Sequence, residues 1–162
     1  MIRRTAAILV FSVSVAADAA GQAVSATLSS SMPPLARLSL SANSVSFPDA
    51  DPDLVPLIPA AGGPITITAK ARATPNELVT LTVQAADDLR SGVNVLPASL
   101  ITWTGSGPGF VNGTLSRSAA QLVATWLGSG VRSGMQTYRF ENRWTHASGI
   151  YTVTLTYTLT AP

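Results

Sequence analysis

The chain has 162 residues, of which 46% are hydrophobic and only 11% are charged, and its formal net charge is +2. It contains no cysteine, which excludes a disulfide scaffold and a cysteine zinc site. The few basic residues are scattered without a run, so the charge pattern argues against nucleic acid and anionic lipid as partners.

The N-terminus has the pattern of a secretory signal peptide. A basic head with Arg3 and Arg4 is followed by an apolar run over residues 5–15. Ala17 and Ala19 then supply small residues at the positions that a signal peptidase recognises. We therefore predict a signal peptide over residues 1–19.

Cleavage would leave a mature chain beginning at Ala20, with Ala23 as an alternative start. The apolar run is shorter than the roughly 20 residues that a membrane-spanning helix needs, so we expect no transmembrane anchor in the mature chain. The mature chain has eight basic and seven acidic residues. We predict a secreted protein, extracellular or at the cell surface, with the periplasm as the alternative location.

Residues 20–34 are predicted to be an extended leader. Small and polar residues fill positions 25–31, and Met32-Pro33-Pro34 follows them. The remaining residues, 35–162, have the length of one domain with a single core.

Within residues 35–162, short segments with alternating apolar and polar residues recur between Gly, Pro and Asn turn signals. No segment holds a helical period for three turns. The pattern predicts an all-β fold, a single antiparallel β-sandwich of about eight strands. The proline-rich stretch 49–59 is predicted to be a surface loop that crosses between sheets. The predicted strands cover residues 36–40, 45–47, 65–69, 79–83, 99–103, 121–127, 136–140 and 151–160.

The last predicted strand has the clearest pattern in the chain. From Tyr151 to Leu159 every odd position is apolar, and every even position up to Thr160 is Thr. A period of two places one row of side chains against a core and the other row in water.

Acidic residues at positions 49, 51 and 53 have the spacing of the first ligands of a Ca²⁺ loop. However, Leu54 stands where such a loop needs Gly, and Ala60 stands where it needs a bidentate Glu. We interpret Asp49, Asp51 and Asp53 as a solvated loop and leave Ca²⁺ binding open.

The chain offers little for catalysis. Asp87 and Asp88 are interpreted as a turn signal rather than a carboxylate pair. His146 is the only histidine, it lies in a predicted turn, and neither Cys nor a Gly-x-Ser-x-Gly motif supplies a nucleophile. We expect no enzymatic activity, no catalytic residues, no metal and no cofactor.

Two further features have competing interpretations. Trp103, Trp126 and Trp144 lie on or beside predicted strands, so core packing is favoured over an aromatic platform for sugars. Asn112-Gly113 followed by Thr114 matches a glycosylation acceptor, but we interpret it as a tight hairpin turn.

The closing residues Tyr157-Thr158-Leu159, followed by Ala161-Pro162, resemble the last strand of WxL-type bacterial cell-surface domains. Val79-Thr80-Leu81 is similar to the first Trp-x-Leu segment of that family, with Val79 and Tyr157 in place of the tryptophans. The resemblance implies that Val79, Leu81, Tyr157 and Leu159 are the family-motif positions, and that the domain attaches to peptidoglycan. Pilin-like fimbrial subunits are a second family with a similar pattern.

We therefore expect a secreted, non-enzymatic bacterial surface or extracellular-matrix protein with a role in adhesion. Its partners would be cell-wall polysaccharide or peptidoglycan, or other copies of itself. The alternative is a fimbrial or fibre subunit assembled by strand exchange, in which residues 20–34 add to a neighbour's open sheet edge.

Overall fold

A computed structural model of the protein describes residues 27–162. The predicted signal peptide with Ala17 and Ala19, and the first part of the leader, lie outside the described residues. Residues 27–34 have no regular secondary structure and are exposed, and Met32–Pro162 form a compact unit. In the described part of the chain no helix has the length and apolarity needed to cross a bilayer.

The described residues are all-β, as the alternating pattern predicts, and every strand pairing is antiparallel. The one helical element among them is a 3-10 turn at Ala98–Leu100. The strands are β1 (Leu35–Leu40), β2 (Leu57–Pro59), β3 (Ile65–Arg72), β4 (Leu78–Ala85), β5 (Leu89–Ser91), β6 (Asn94–Leu96), β7 (Ile101–Ser106), β8 (Gly113–Thr114), β9 (Gln121–Leu127), β10 (Gly130–Glu141) and β11 (Leu155–Thr160).

The strands of residues 27–162 form two main sheets and one small hairpin. The larger sheet has the order β1-β3-β10-β7-β8, and β2 pairs with the end of β10. The smaller sheet has the order β11-β4-β9, and β5 pairs with β6. The chain changes main sheet five times: from β3 to β4, from β4 to β7 by way of the β5-β6 hairpin, from β8 to β9, from β9 to β10, and from β10 to β11.

One core lies between the two main sheets. On β3 the inward row runs from Ile65 through Ile67 to Ala71, and on β4 it runs from Val79 to Ala85. These rows share a hydrophobic cluster with Trp103, Tyr138 and Trp126 from the neighbouring strands. Period-two burial on facing sheets is an arrangement consistent with a β-sandwich.

Several predicted strands are found at or near their expected positions. Residues 121–127 form β9 with the predicted bounds, and the predicted strand at 136–140 is the C-terminal part of the longer β10. The strand predicted at 99–103 begins two residues late, because residues 98–100 form the 3-10 turn. Pairing with neighbours extends β3, β4 and β10 beyond what their local patterns indicate.

The prediction of a strand at residues 45–47 is wrong. These residues are irregular, and the half-buried Phe47 packs its ring on Phe140 with centroids 5.8 Å apart. Residues 49–59 are also not wholly a loop, because Leu57–Pro59 form β2 on the edge of β10. Proline is tolerated at such an edge, so its presence does not exclude a strand there.

Asn112-Gly113 is not the tight hairpin turn that we predicted. Gly113 already pairs with Trp103 as the first residue of β8. The Asn112 Oδ1 atom instead accepts a hydrogen bond from the backbone N–H of Gly105 at 2.9 Å. The amide thus holds the 107–112 loop against β7, a contact that the dipeptide alone does not reveal.

The last strand keeps its predicted facing but is shorter than predicted. β11 begins at Leu155, and Thr152 forms only an isolated bridge with Arg90. The even Thr residues are exposed, whereas the odd residues from Tyr151 to Leu159 are half-buried rather than fully buried. This row packs against the core, as predicted, and from Tyr151 to Tyr157 it also lines a cleft.

Candidate binding cleft

A cleft of about 1270 Å³ opens beside β11. One wall is the loop formed by residues 42–52, which follows β1, and the other is formed by residues 142–154, which precede β11. Its floor comes from strand residues, among them Ile58, Ile65 and Ile101. This volume exceeds the several hundred Å³ of an ordinary small-molecule pocket, so the cleft has room for an extended ligand.

The first wall is ordered by its own backbone and by Asp51. The Asp51 Oδ1 atom accepts a hydrogen bond from the N–H of Asp53 at 2.9 Å. The Asp51 carbonyl accepts hydrogen bonds from the N–H groups of Leu54 and Val55 at 3.1 and 2.8 Å. The Asp51 side chain therefore closes an Asx turn with the backbone of Asp53, a local hydrogen bond that Asp commonly makes.

The two walls are joined at one end by Asn142 and Trp144. The Asn142 Nδ2 group donates to the carbonyl of Ala50 at 2.9 Å, and the Trp144 Nε1–H donates to Asp53 Oδ1 at 3.1 Å. These contacts bridge some ninety residues of sequence. They fix the separation of the walls at that end.

Aromatic rings line the cleft from its floor to its mouth. The Phe140 ring lies 5.8 Å, centroid to centroid, from both Phe47 and His146. Tyr151 donates its hydroxyl to the carbonyl of Ala147 at 2.8 Å, which fixes the ring along the second wall. Trp144 stands at the mouth with 69% of its surface exposed.

A polar group lies beneath this aromatic lining. The Tyr157 hydroxyl donates to Gln136 Oε1 at 2.6 Å, and the Tyr138 hydroxyl lies within hydrogen-bond distance of both atoms. Tyr138 and Tyr157 line the cleft, whereas Gln136 is fully buried behind them. Burial raises the pKa of both tyrosines, so both hydroxyls remain protonated at physiological pH.

The charged groups of the lining are few. They are Asp49 and Asp51 on the first wall and Arg143 on the second, together with the titratable His146. The Arg143 guanidinium is paired with Glu141. The cleft therefore offers carboxylates at its mouth and a cation whose charge is already compensated.

The three acidic residues at the Ca²⁺-loop spacing do not form one ligand set. Asp51 and Asp53 are engaged by the N–H groups described above. Across residues 27–162 no cluster of three or more acidic or histidine side chains is placed to hold a metal ion. The spacing at positions 49, 51 and 53 reflects a turn and its link to Trp144.

Asp87 and Asp88 lie in a turn, as predicted, and outside the cleft. Asp87 pairs with Arg90 at 2.7 Å, and Arg117 approaches Asp88 at 3.1 Å. The hydrogen bond from Arg90 holds the pKa of Asp87 below its ordinary value. The Asp88 Oδ1 atom accepts from the N–H of Ala98 at 2.9 Å, so the acidic pair connects β5 to the 3-10 turn.

His146 lies in the predicted turn before the last strand. Its backbone N–H donates to the carbonyl of Arg143 at 3.1 Å. Its Nδ1 atom is buried and has no hydrogen-bond partner among the described residues. The imidazole contributes an aromatic face to the cleft wall through its contact with Phe140.

Two of the three tryptophans pack in the core, as predicted. Trp103 is 2% exposed and donates its Nε1–H to the Val111 carbonyl at 2.9 Å, and Trp126 is 7% exposed. The same prediction is wrong for Trp144, because this residue lies in the turn after β10 and is 69% exposed. Its exposure fits the alternative interpretation, an aromatic platform for sugars.

Pairing of β4 with β11 brings most of the family-motif positions together. Leu159 lies directly opposite Leu81, and Tyr157 lies opposite Val83. Val79 pairs instead with Trp126 on the other side of β4. Of the four motif positions, only Tyr157 lines the cleft.

Tyr138 and Asn142 in the cleft lining, and Gln136 behind it, are not among the candidates that the sequence indicates. A usable signal existed for Gln136 and Tyr138, because strand alternation places Gln136 in the same inward row as Tyr138, and a polar residue in an inward row needs a partner. Asn142 had no comparable signal, since its partners Ala50 and Val55 are distant in sequence.

The sequence matches no protein-family model, and a search of the curated proteins finds no match.

Proposed function

We propose that the chain is exported and that the mature protein is a non-enzymatic bacterial surface or extracellular-matrix protein. In this proposal it binds a cell-wall polysaccharide or the glycan of peptidoglycan in the cleft. The observation that carries the proposal is a cleft of about 1270 Å³ lined by aromatic side chains, with Trp144 exposed at its mouth.

Aromatic faces suit this ligand for a chemical reason. A pyranose ring presents a flat set of C–H groups on its faces and hydroxyls around its edge. Tyr, Trp and Phe bury such faces, while Tyr and Trp keep a polar atom for hydrogen bonding. The resemblance of the closing strand to WxL-type surface domains supports the same class of ligand.

A pull-down on purified wall polysaccharide and peptidoglycan tests the proposal. The mature chain should be retained, and Trp144→Ala should weaken retention by roughly 5- to 30-fold, the effect of losing a contact worth about 1–2 kcal/mol. Leu127→Ala is the matched control, because Leu127 is also exposed, at 61%, and does not line the cleft. Equal retention of both variants, or no retention of the wild type, would contradict the proposal.

Assembly by strand exchange is the second candidate, and two open sheet edges favour it. Among the described residues, β1 pairs only with β3, and β11 pairs only with β4. The Ser41 N–H donates to the Thr66 carbonyl at 2.9 Å. The backbone N–H and C=O groups of the odd residues of β1 therefore point toward β3. The backbone groups of Ala36, Leu38 and Leu40 therefore point away from the sheet.

The same reasoning holds for β11. The Thr154 carbonyl, just before β11, accepts a hydrogen bond from the N–H of Ala86, just after β4, at 2.8 Å, so the backbone N–H and C=O groups of the even residues of β11 point toward β4. The backbone groups of Leu155, Tyr157 and Leu159 consequently point to the open edge, where a strand from another molecule could pair.

Truncation at Leu35 separates the two candidates. If residues 20–34 are only a tether, the truncated protein stays folded and monomeric and binds wall polymer as before. If they donate a strand, full-length protein forms denaturant-resistant oligomers that disappear on truncation. We favour the tether, because Pro33 and Pro34 and the small residues before them have poor strand propensity.

A further inference from the structure

The hydrogen bonds at the floor of the cleft restrict the kind of ligand that it can hold. Three oxygen atoms meet there, from Gln136, Tyr138 and Tyr157, and all three separations are within hydrogen-bond distance. The two hydroxyls supply two protons, and the amide oxygen supplies none. Tyr157 donates its proton to Gln136 Oε1, and Tyr138 donates its proton to Gln136 Oε1 or to the Tyr157 oxygen, so both protons are used inside the triangle.

A proton used inside the triangle is not available to a ligand. Tyr157 is half-buried and lines the cleft, so its oxygen presents a lone pair rather than a hydrogen to whatever lies above it. Since burial raises the pKa of both tyrosines, neither oxygen becomes a phenolate that would bind a cation strongly. A ligand at the floor must bring its own O–H or N–H donors.

The charged residues of the lining also favour an uncharged ligand. Asp49 and Asp51 would repel a phosphate or carboxylate at the mouth, and Arg143 is held by Glu141. An anionic polymer would thus meet acceptors at the floor and carboxylates at the mouth. A hydroxyl-rich, uncharged ring meets acceptors for its O–H groups and aromatic faces for its C–H groups.

We propose that the cleft selects uncharged glycan over anionic wall polymer. In this proposal the Tyr157 oxygen accepts hydrogen bonds from ligand hydroxyls at the floor of the cleft. This inference rests on the proposed function and narrows it to one class of polymer. Within peptidoglycan it assigns the cleft to the neutral sugar backbone and not to the acidic stem peptides.

Calorimetry on the mature protein tests the inference with two probes of equal length. One is an uncharged hexamer of β-1,4-linked N-acetylglucosamine, and the other is a hexamer of galacturonic acid. We expect the uncharged hexamer to bind at least about tenfold more tightly at low ionic strength. We expect Tyr157→Phe to weaken its binding by about 2- to 13-fold, the effect of losing one hydrogen bond.

Thr158→Val is the matched control, because Thr158 lies next to Tyr157 on the exposed face of β11. It should leave the affinity for both hexamers unchanged, and melting curves of both variants separate lost binding from lost folding. A Tyr157→Phe protein that is folded and binds the uncharged hexamer normally would overturn the role of Tyr157.

The outcomes distinguish this inference from the proposed function. If the galacturonate hexamer binds as well as the uncharged one, selection is refuted while wall binding stands. If the protein is retained on wall material but binds neither hexamer, the assignment of the cleft to neutral glycan is refuted. If it binds neither hexamers nor wall material, the proposed function itself fails.

Discussion

Replacing two leucines that face each other across β4 and β11 tests whether β4 is enclosed in the core while β11 lies at the edge of its sheet. Leu81 lies on the middle strand of the smaller sheet and is fully buried, and its partner Leu159 on the edge strand is half-buried. Leu81→Ala removes about three methylene equivalents at about 0.8 kcal/mol each. The cavity left in a packed core raises the cost to about 3–4 kcal/mol.

Leu159→Ala should cost much less, although the chemistry is the same. Part of the Leu159 side chain is already in water, and its strand lies at the edge of the sheet, so the space left behind is less enclosed than a cavity at Leu81. We therefore expect a loss of about 1 kcal/mol, with Thr158→Ala on the exposed face staying within about 0.5 kcal/mol.

Urea denaturation of the mature chain measures these differences through the midpoint at constant slope. Equal losses for Leu81→Ala and Leu159→Ala would refute the reasoning, because they would place both leucines in one sealed core. A loss below about 1 kcal/mol for Leu81→Ala would refute the position of β4 between β9 and β11.

Three further predictions concern other parts of the chain. Gly134→Ala should destabilise the fold by about 1–3 kcal/mol, because the new methyl group meets the Phe110 ring, whereas Gly130→Ala should cost less. Asp87→Asn should flatten the acid limb of the stability curve, since the depressed pKa of Asp87 gives stability that is present above about pH 4 and is lost below it. Ala19→Arg should block signal cleavage, whereas the wild type should yield a mature N-terminus at or near Ala20.

Each has a simple refuting result. Urea midpoints that are equal for Gly134→Ala and Gly130→Ala would show that the Phe110 ring moves aside freely. An unchanged acid limb in the Asp87 variant would show that the pair with Arg90 contributes nothing to stability. N-terminal sequencing that finds Met1 on exported protein would refute the predicted cleavage of a signal peptide.

Much of the fold follows from the sequence because period-two alternation is a local property. It correctly marks β9 and the facing of β11, where Thr and apolar residues alternate without interruption. It fails for β2, β5, β6 and β8, which have only two or three residues each and exist because a longer strand lies beside them. Pairing of this kind is set by distant neighbours and leaves little local trace.

The cleft was harder to predict for the same reason. Its two walls lie about a hundred residues apart in sequence, and the contact of Asn142 with Ala50 that joins them has no local pattern. Trp144 was misjudged because it lies between two predicted strands, while the predicted turn there places the ring in solvent. Tyr157, by contrast, was marked by both strand alternation and the resemblance of the closing segment.

The measurement that bears most directly on ligand binding in the cleft is an NMR titration of the isotope-labelled mature protein with soluble wall-glycan fragments. We predict saturable shifts of backbone amides in residues 42–52 and 142–157, together with the Trp144 indole N–H. Amides of the distant loop 107–112 should stay unchanged. Shifts confined to other surfaces, or no shifts at glycan concentrations that saturate binding to wall material, would contradict the assignment of the cleft as the binding site.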